Sequence, residues 1–375
     1  MARRLRTFWA RITEGIAIQQ LWTHFQSEAR SSYRLYSKEV QWERRQDETR
    51  GQRQRRIISG LFWAMVSKLS PARRVLFVAA LILLVFPGFE FAFRGARVQM
   101  PNLAFFGALA FLVLLALELA DRVTMKRDLE IAKEIQTWLM PAAAPKVPGF
   151  EIAFATRAAN TVAGDYYDAF LRSVSEGPPP PPQLLLVIAD VAGKSVPAAM
   201  LMATLQASLR TLAATCTTVL DLIERLNHYC CEQNVGRQRF TTAFLAELDP
   251  VSRRLTYVNA GHNWPVLRRA WGQLERLETG GVPLGIIPSA QYTCGEVALA
   301  SGDVLLVFTD GLVEAENDRE EEYGEARMWA ALNSNASGTA SQIVDAVMAS
   351  ADQFVGSAPQ HDDITCLVLR ATSAY

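Results

Sequence analysis

Two runs of this sequence share one construction. LLLVIAD ends in Asp190 and VLLVFTD ends in Asp310, and each carboxylate has a glycine close behind it. An unbroken apolar run of this length is the pattern of a strand buried on both faces. A bare carboxylate at the end of such a strand is costly unless a helix cap, a salt bridge or a divalent cation compensates it. Further acids stand in similar places. Gly164-Asp165-Tyr166-Tyr167-Asp168 sets carboxylates after a small residue, and His361-Asp362-Asp363-Ile364-Thr365 sets two more at the head of the last β-rich run. Singly, each reads as a turn. Together, four acidic clusters at strand ends predict a hard-cation site, and all-oxygen ligation favours magnesium or manganese over zinc. The five cysteines (Cys216, Cys230, Cys231, Cys294, Cys366) contain no C-x-x-C pair, and the four histidines are scattered. No zinc spacing exists, so the thiols read as idle groups in a reducing compartment.

The elements that must position these acids begin near Gly149. Short β-rich runs (FEIAFATRA, LLLVIAD, FTTAFLAELD, RLTYVNA, VLLVFTD, ITCLVLR) surround helical stretches at 197–213, 218–234 and near 339–354. Strands, then helices, then strands predict an α+β layered fold rather than a strict β-α-β alternation. Gly177–Pro182 holds five consecutive prolines. Such a run forms neither strand nor helix interior, so a stiff polyproline II loop joining two strands is expected.

The first part of the chain differs in kind. The whole has 375 residues and zero formal net charge, but residues 1–74 carry 16 Lys+Arg against 6 Asp+Glu. Val75–Phe89 is almost wholly apolar and Leu103–Leu119 is apolar but for Glu118, each a little short of the roughly 20 residues that cross a bilayer, with Glu90, Arg94 and Arg97 between them. This predicts a transmembrane helical hairpin over 75–120. Arg73 and Arg74 before it, with Arg122, Lys126 and Arg127 after it, place both ends in the cytoplasm. The expected location is the cell inner membrane, multi-pass. Because the basic arm runs straight into an apolar span, its charge reads as a topology signal or as attraction to anionic lipid, not as nucleic-acid binding. Its tryptophans suit either a membrane interface or a small helical domain. Residues 121–140 repeat Leu129, Ala132, Ile135 and Leu139 at helical spacing. They read as a connector or as a dimer-forming helix.

Seven motifs then fall in one order: V-A-G-D-Y-Y-D (162–168), D-V-A-G-K-S (190–195), F-T-T-A-F (240–244), Y-V-N-A-G-H-N (257–263), G-V-P-L-G-I (281–286), F-T-D-G-L-V-E-A (308–315) and H-D-D-I-T (361–365). With L-E-I-A-K-E-I-Q-T-W-L-M-P (129–141) ahead of them, they resemble the SpoIIE/RsbU branch of the PPM serine/threonine phosphatases over about 129–371. The resemblance implies an α/β/β/α sandwich, two antiparallel sheets flanked by helices, with two Mn2+ or Mg2+ ions in the cleft. It implies that Asp190 bridges both ions and that the Val191 carbonyl helps bind one. Asp310 and Asp362 would hold the other, with Asp363 the adjacent alternative, and Asp165 would act directly or through water. Asp190 and Asp310 are the expected catalytic pair. Ala163 and Ser195 depart from the family's usual glycines, which bears on loop geometry rather than on ligands. Asn259 and His262 read either as catalytic or as a turn fixed by side-chain hydrogen bonds.

The implied activity is hydrolysis of phosphoserine or phosphothreonine by a metal-activated water, without a protein nucleophile. The implied substrate is a phosphorylated anti-anti-sigma (STAS-type) protein, and the implied assembly is a homodimer through the linker helix, whose rearrangement switches the site on. The expected domains are a basic arm (1–74), the hairpin (75–120), a linker helix (121–147) and the phosphatase domain (148–371). Two other readings compete: a catalytically silent phosphoprotein-binding module, and a membrane signalling scaffold.

Overall fold

The computed structural model describes residues 50–85, 90–93, 96–99, 103–173, 182–193, 196–233 and 239–373. The first 49 residues of the basic arm, four of the five prolines, Lys194 and Ser195 lie outside the described residues. The chain divides into two compact units, Met1–Thr124 and Met125–Tyr375.

In the first unit, α1 (Arg50–Lys68) is followed by α2 (Pro71–Val85), whose leading proline suits the first helical position. A two-stranded antiparallel hairpin, β1 (Glu90–Phe93) with β2 (Ala96–Gln99), stands where a plain loop is expected. Then comes α3 (Ala104–Leu139), 36 residues long. Its apolar first half lies against α2. An added Cβ on Gly107 would stand 2.9 Å from the Ala80 carbonyl oxygen, so the small residue is what allows this approach. Phe77 and Phe111 meet edge to face at 5.4 Å, and Arg73 pairs with Glu118 (3.1 Å) and Asp121 (2.7 Å).

A helical hairpin therefore forms, but the expected pair of spans does not. With 15 residues, α2 is about 22 Å long, short of a hydrocarbon core of about 30 Å. Among the described residues, α3 alone is long and apolar enough to cross a membrane, and one such helix is weak evidence for an anchor.

The second unit is built on two sheets. One runs β4 (Tyr166–Arg172), β5 (Gln183–Val191), β6 (Thr241–Asp249), β7 (Arg254–Ala260), β10 (Gly280–Gly281), with β11 (Gly295–Ala298) also on β7. The other runs β3 (Phe150–Arg157), β13 (Ile364–Ala371), β12 (Val304–Phe308), β8 (Val266–Arg268), β9 (Leu274–Arg276). All pairs are antiparallel except the short β10–β7 contact.

Three apolar layers hold the sheets. Tyr167, Leu186, Phe244, Leu305 and Leu367 fill the space between them. Leu185 and Val187 face the other way, onto Met202, Leu205 and Leu209 of α4 (Val196–Ala213) and Leu222 and Leu226 of α5 (Val219–Gln233). Leu306, Phe308 and Val368 face Met328 of α7 (Gly324–Asn335) and Ile343 and Val347 of α8 (Ala340–Val355). Alternation along β5 and β12 thus supplies two apolar layers each, which is why these strands read as unbroken apolar runs. The order of layers is helix, sheet, sheet, helix. Thr339 caps α8 in a reciprocal capping box with Gln342, so that helix begins where the sequence places it. The short turn α6 (Asp310–Val313) and α7 are additions to the expected elements.

Candidate active site

The acids gather where strand ends of the two sheets meet. Tyr166 pairs with Ala189 in the register of β4 and β5, so Asp165 falls beside Asp190 just past the last pair. On the other sheet Phe308 pairs with Cys366, so Thr309 and Asp310 run on beside Thr365 and the Asp362–Asp363 pair. One hydroxyl joins the two sides: Thr309 Oγ1 donates to Asp165 Oδ2 at 2.9 Å and accepts from the Thr365 amide at 3.0 Å.

Asp165 is almost fully buried. Burial first, then the charges of Asp190 and Asp363, push its carboxyl well above the usual carboxylate range, against the Thr365 and Thr309 hydrogen bonds. A dry carboxyl beside two others needs a proton or a metal ion to compensate it, and every donor here is a hard oxygen. That chemistry fits magnesium or manganese. The acids as placed do not form a finished shell, however: among the described residues no three His, Cys, Asp or Glu side chains stand close enough to hold an ion together.

The remaining expected residues are placed as follows. Asp190 and Asp310 are half-buried and Asp362 is exposed. Asp363 accepts the Ala159 amide on Oδ1 (2.7 Å) and the Gly164 amide on Oδ2 (2.6 Å), so it ties the Asp165 loop to β13. Gly164 faces the Val191 carbonyl, which an added Cβ would meet at 3.2 Å. Gly193 has φ +118°, a backbone conformation that favours glycine. Gly311 packs so closely on the Asp363 carbonyl that a Cβ would lie 2.1 Å from its oxygen.

Asp168 is drawn away from the cluster. Fully buried, it accepts Tyr166 Oη (2.6 Å), the Ala169 amide (2.8 Å) and both Nε and Nη2 of Arg210 (2.8 and 2.7 Å). It clamps β4 to α4, the helix that follows the Asp190 loop.

Asn259 fixes a turn, accepting the His262 amide (2.7 Å) and donating to its carbonyl (3.0 Å). His262 is buried, with Nδ1 3.0 Å from Thr242 Oγ1, and Thr242 pairs with Asp190 across the sheet. Its Nε2 is buried without a completed hydrogen bond. Burial pushes its pKa down to about 4, and the Phe308 carbonyl opposes this only weakly.

Several contributors were embedded in the motifs without being singled out as site residues. Thr309 immediately precedes Asp310. Gln136 of α3 is buried and pairs twice with Ala163, donating to its carbonyl (2.7 Å) and accepting its amide (3.0 Å). A buried glutamine in an otherwise charged helix is the signal that could have found it. Asn227 on α5 accepts the Gly285 amide (3.0 Å) and donates to the Ile287 carbonyl (2.9 Å), holding the G-V-P-L-G-I segment.

The family model for Stage II sporulation protein E (SpoIIE) matches residues 180–372, over half of the chain. The chain belongs to the SpoIIE family. The matched stretch contains Asp190, Asp310, Asp362 and Asp363, and Asp165 lies ahead of it. Among curated relatives, protein IcfG of Synechocystis sp. is 27% identical over 282 residues, 68% of this chain and 43% of that protein. Phosphoserine phosphatase RsbU of Bacillus subtilis is 27% identical over 253 residues, 66% of this chain and 70% of RsbU. The chain therefore spans less than half of IcfG and a larger share of RsbU. Among solved structures, the RsbU and RsbW domains of a Mycobacterium tuberculosis protein match with a TM-score of 0.53 and 28% identity, covering 62% of this chain and 64% of that one. The SiaA-PP2C domain of Pseudomonas aeruginosa matches with a TM-score of 0.57 and 21% identity, covering 67% and 98%, and bears on the fold alone. This SpoIIE-family chain thus has the PPM sandwich.

Proposed function

We propose that this protein is a metal-dependent protein serine/threonine phosphatase whose site is the carboxylate cluster at the sheet ends. The observation that carries the reading is Asp165, buried beside Asp190 and Asp363, where burial first and then their charges push its carboxyl well above the usual carboxylate range. Asp190, the Val191 carbonyl, Asp310 and Asp362 would hold two Mn2+ or Mg2+ ions, with Asp165 acting directly or through water. Asp362 is preferred to Asp363 because both oxygens of Asp363 already accept backbone amides. Bound there, the ions would supply a nucleophilic water at neutral pH and neutralise charge on the phosphoryl group.

The protein's own part is positioning. Thr309 aims Asp165, Asp363 fixes the Gly164 turn, and glycines at 164 and 311 let backbone close on the cluster. No side chain is needed as nucleophile. The proton for the departing serine oxygen would come from solvent or a neighbouring acid.

The unfinished shell favours a site completed by movement. The Gln136–Ala163 pair gives α3 a direct hold on the residue two before Asp165. On the opposite face of that helix Ile131, Ile135 and Trp138 are exposed at helical spacing, with Trp138 79% exposed. This apolar stripe supports dimerisation through the linker rather than a plain connector. The apolar half of α3 would anchor the protein in the inner membrane, with the linker (121–147) and the phosphatase domain (148–371) in the cytoplasm. The relative named RsbU is a phosphoserine phosphatase, and one solved relative joins RsbU and RsbW domains. They support a phosphorylated anti-anti-sigma-like protein as substrate.

The test is turnover of p-nitrophenyl phosphate and a phosphoserine protein by the full chain, with and without manganese, beside Asp190→Asn and Asp310→Asn. Manganese-dependent turnover abolished in both variants is expected. Phosphoprotein binding without turnover would establish the silent module instead, and partner binding by residues 1–128 alone would favour the scaffold.

A further inference from the structure

A groove of about 460 Å3 opens beside the carboxylate cluster. Met200, Leu201 and Leu205 of α4 form one wall, Tyr229 and Cys230 of α5 the other, and Leu284 closes the floor. Met200 in its wall is 65% exposed, and Val196, Phe240 and Ile286, each next in sequence to a lining residue, are exposed as well. An exposed apolar surface of this kind on a folded domain marks an interaction site more often than chance.

Two features tie the groove to the acids. Thr241, in its floor, pairs with Val191 in the register of β5 and β6. Arg239, the one charged side chain in its lining among the described residues, has Nη1 4.0 Å from the position a Cβ would take on Gly193. The floor is also fixed in place: Leu284 exchanges two backbone hydrogen bonds with Thr241 (3.0 and 2.8 Å), and Asn227 grips Gly285 and Ile287. The groove is thus preformed, apolar along its length and cationic at the end that meets the Asp190 loop.

We infer that this groove takes the chain segment flanking the phosphoserine of a protein substrate, seating a large aliphatic or aromatic side chain two to four residues from the phosphoserine while Arg239 faces the phosphate. The inference rests on the phosphatase reading. A phosphate is dianionic, so the cation belongs at the site end and the apolar wall beyond it. An extended segment advances about 3.3 Å per residue, so a groove that begins at the Gly193 loop is met by side chains within a few residues of the phosphoserine. The groove therefore selects among phosphoproteins by the residues beside the phosphoserine.

The experiment uses the full chain in nanodiscs with manganese and fluorescein-labelled phosphoserine peptides. One set carries leucine at the second to fourth positions on one side of the phosphoserine, a second set on the other side, and the controls carry serine there. One leucine set is expected to exceed the serine controls in kcat/KM by about tenfold or more, as burial of a leucine implies. Met200→Glu is expected to erase that ratio and Met200→Leu to keep it. Met200 is chosen because its exposure makes it dispensable for the core. Turnover of p-nitrophenyl phosphate with equal use of all peptides would overturn the groove and leave the phosphatase standing. No turnover of anything would sink the phosphatase reading, and peptide anisotropy would then judge the groove, with equal Kd values overturning it. A Met200→Glu protein that changes sedimentation without changing the peptide ratio would give the groove to a second copy of the chain and also overturn it.

Discussion

Gly311 offers the sharpest test of how the cluster is built. Replacing it with alanine puts a Cβ 2.1 Å from the Asp363 carbonyl oxygen and 3.2 Å from the Asp362 Cβ. Real Cβ contacts essentially never fall below 3.0 Å, so the Asp310–Gly311 turn and the Asp362–Asp363 segment must separate by roughly 0.9 Å. The obstacle is backbone on both sides, so no side chain can swing away. Overpacking of this kind costs about 1–3 kcal/mol. For a unit of this size that lowers Tm by about 2–4 °C per kcal/mol. The effect on turnover should be larger. Metal ligands tolerate only about 0.2 Å, and a 1 Å misplacement costs about a hundredfold in rate. The assay is manganese-dependent hydrolysis of p-nitrophenyl phosphate beside thermal unfolding. Gly51→Ala serves as the control, because nothing lies within 4 Å of that position. A Gly311→Ala protein with at least half the normal turnover and a Tm within about 1 °C of the parent would refute the argument. A lowered Tm with full turnover would keep the packing argument and reject Asp310 and Asp362 as partners.

Further outcomes follow from the buried groups. The folded-state pKa of Asp165 is raised, so the metal-free protein loses stability as pH rises through it; Asp165→Asn should raise the metal-free Tm at pH 7.5 and weaken the Tm gain on adding manganese, both read by calorimetry. His262 has its folded pKa lowered to about 4 from 6.5, so its contribution is present above pH 6.5 and is lost as pH falls toward 4, by about 3 kcal/mol in all; denaturant unfolding of His262→Gln across that window should show a shallower acid slope than the parent. Arg210→Ala leaves Asp168 buried and unpaired and should cost about 3 kcal/mol, the low end for a broken buried pair because Arg210 is 41% exposed; urea midpoints measure it, and a change below about 1 kcal/mol would mean the clamp is ornamental. Gln136→Leu strands the buried Ala163 amide and carbonyl, so it should cost about 1–3 kcal/mol, read as a lowered Tm, and should also shift the manganese dependence of turnover; an unchanged metal titration would separate α3 from the site.

The sandwich was legible where both faces of a strand are apolar. LLLVIAD and VLLVFTD become β5 and β12, each feeding two cores, and no soluble helix needs such runs. The acids at their ends were legible for the same reason, since a carboxylate there demands an explanation. Asp168 was not. In sequence it looks like Asp165, and only the packing of α4 brings Arg210 to it. The two apolar runs at 75–119 were alike in composition but not in outcome. Length separates them, since α2 has 15 residues and α3 has 36. The short strands β8 to β11 carry two to four residues each, too few for a period to declare itself.

The cluster has an asymmetry that bears on control. Asp190 lies in β5, fixed by its pairing with Thr242, and Asp310 opens α6 two residues beyond β12, whose ladder with β13 runs through the core. Asp165 sits on a loop held from three directions: Thr309 and Thr365 from the opposite sheet, Asp363 through the Gly164 amide, and Gln136 through Ala163. The first two belong to the sandwich and move only if it does. The third belongs to a helix whose far end runs toward the apolar segment, and it grips backbone rather than side chain. A shift of that helix would therefore act on Asp165 before it acts on Asp190 or Asp310. Since Asp165 is also the carboxyl most in need of a counter-charge, a small displacement there changes how readily a cation enters while the rest of the site stays in place.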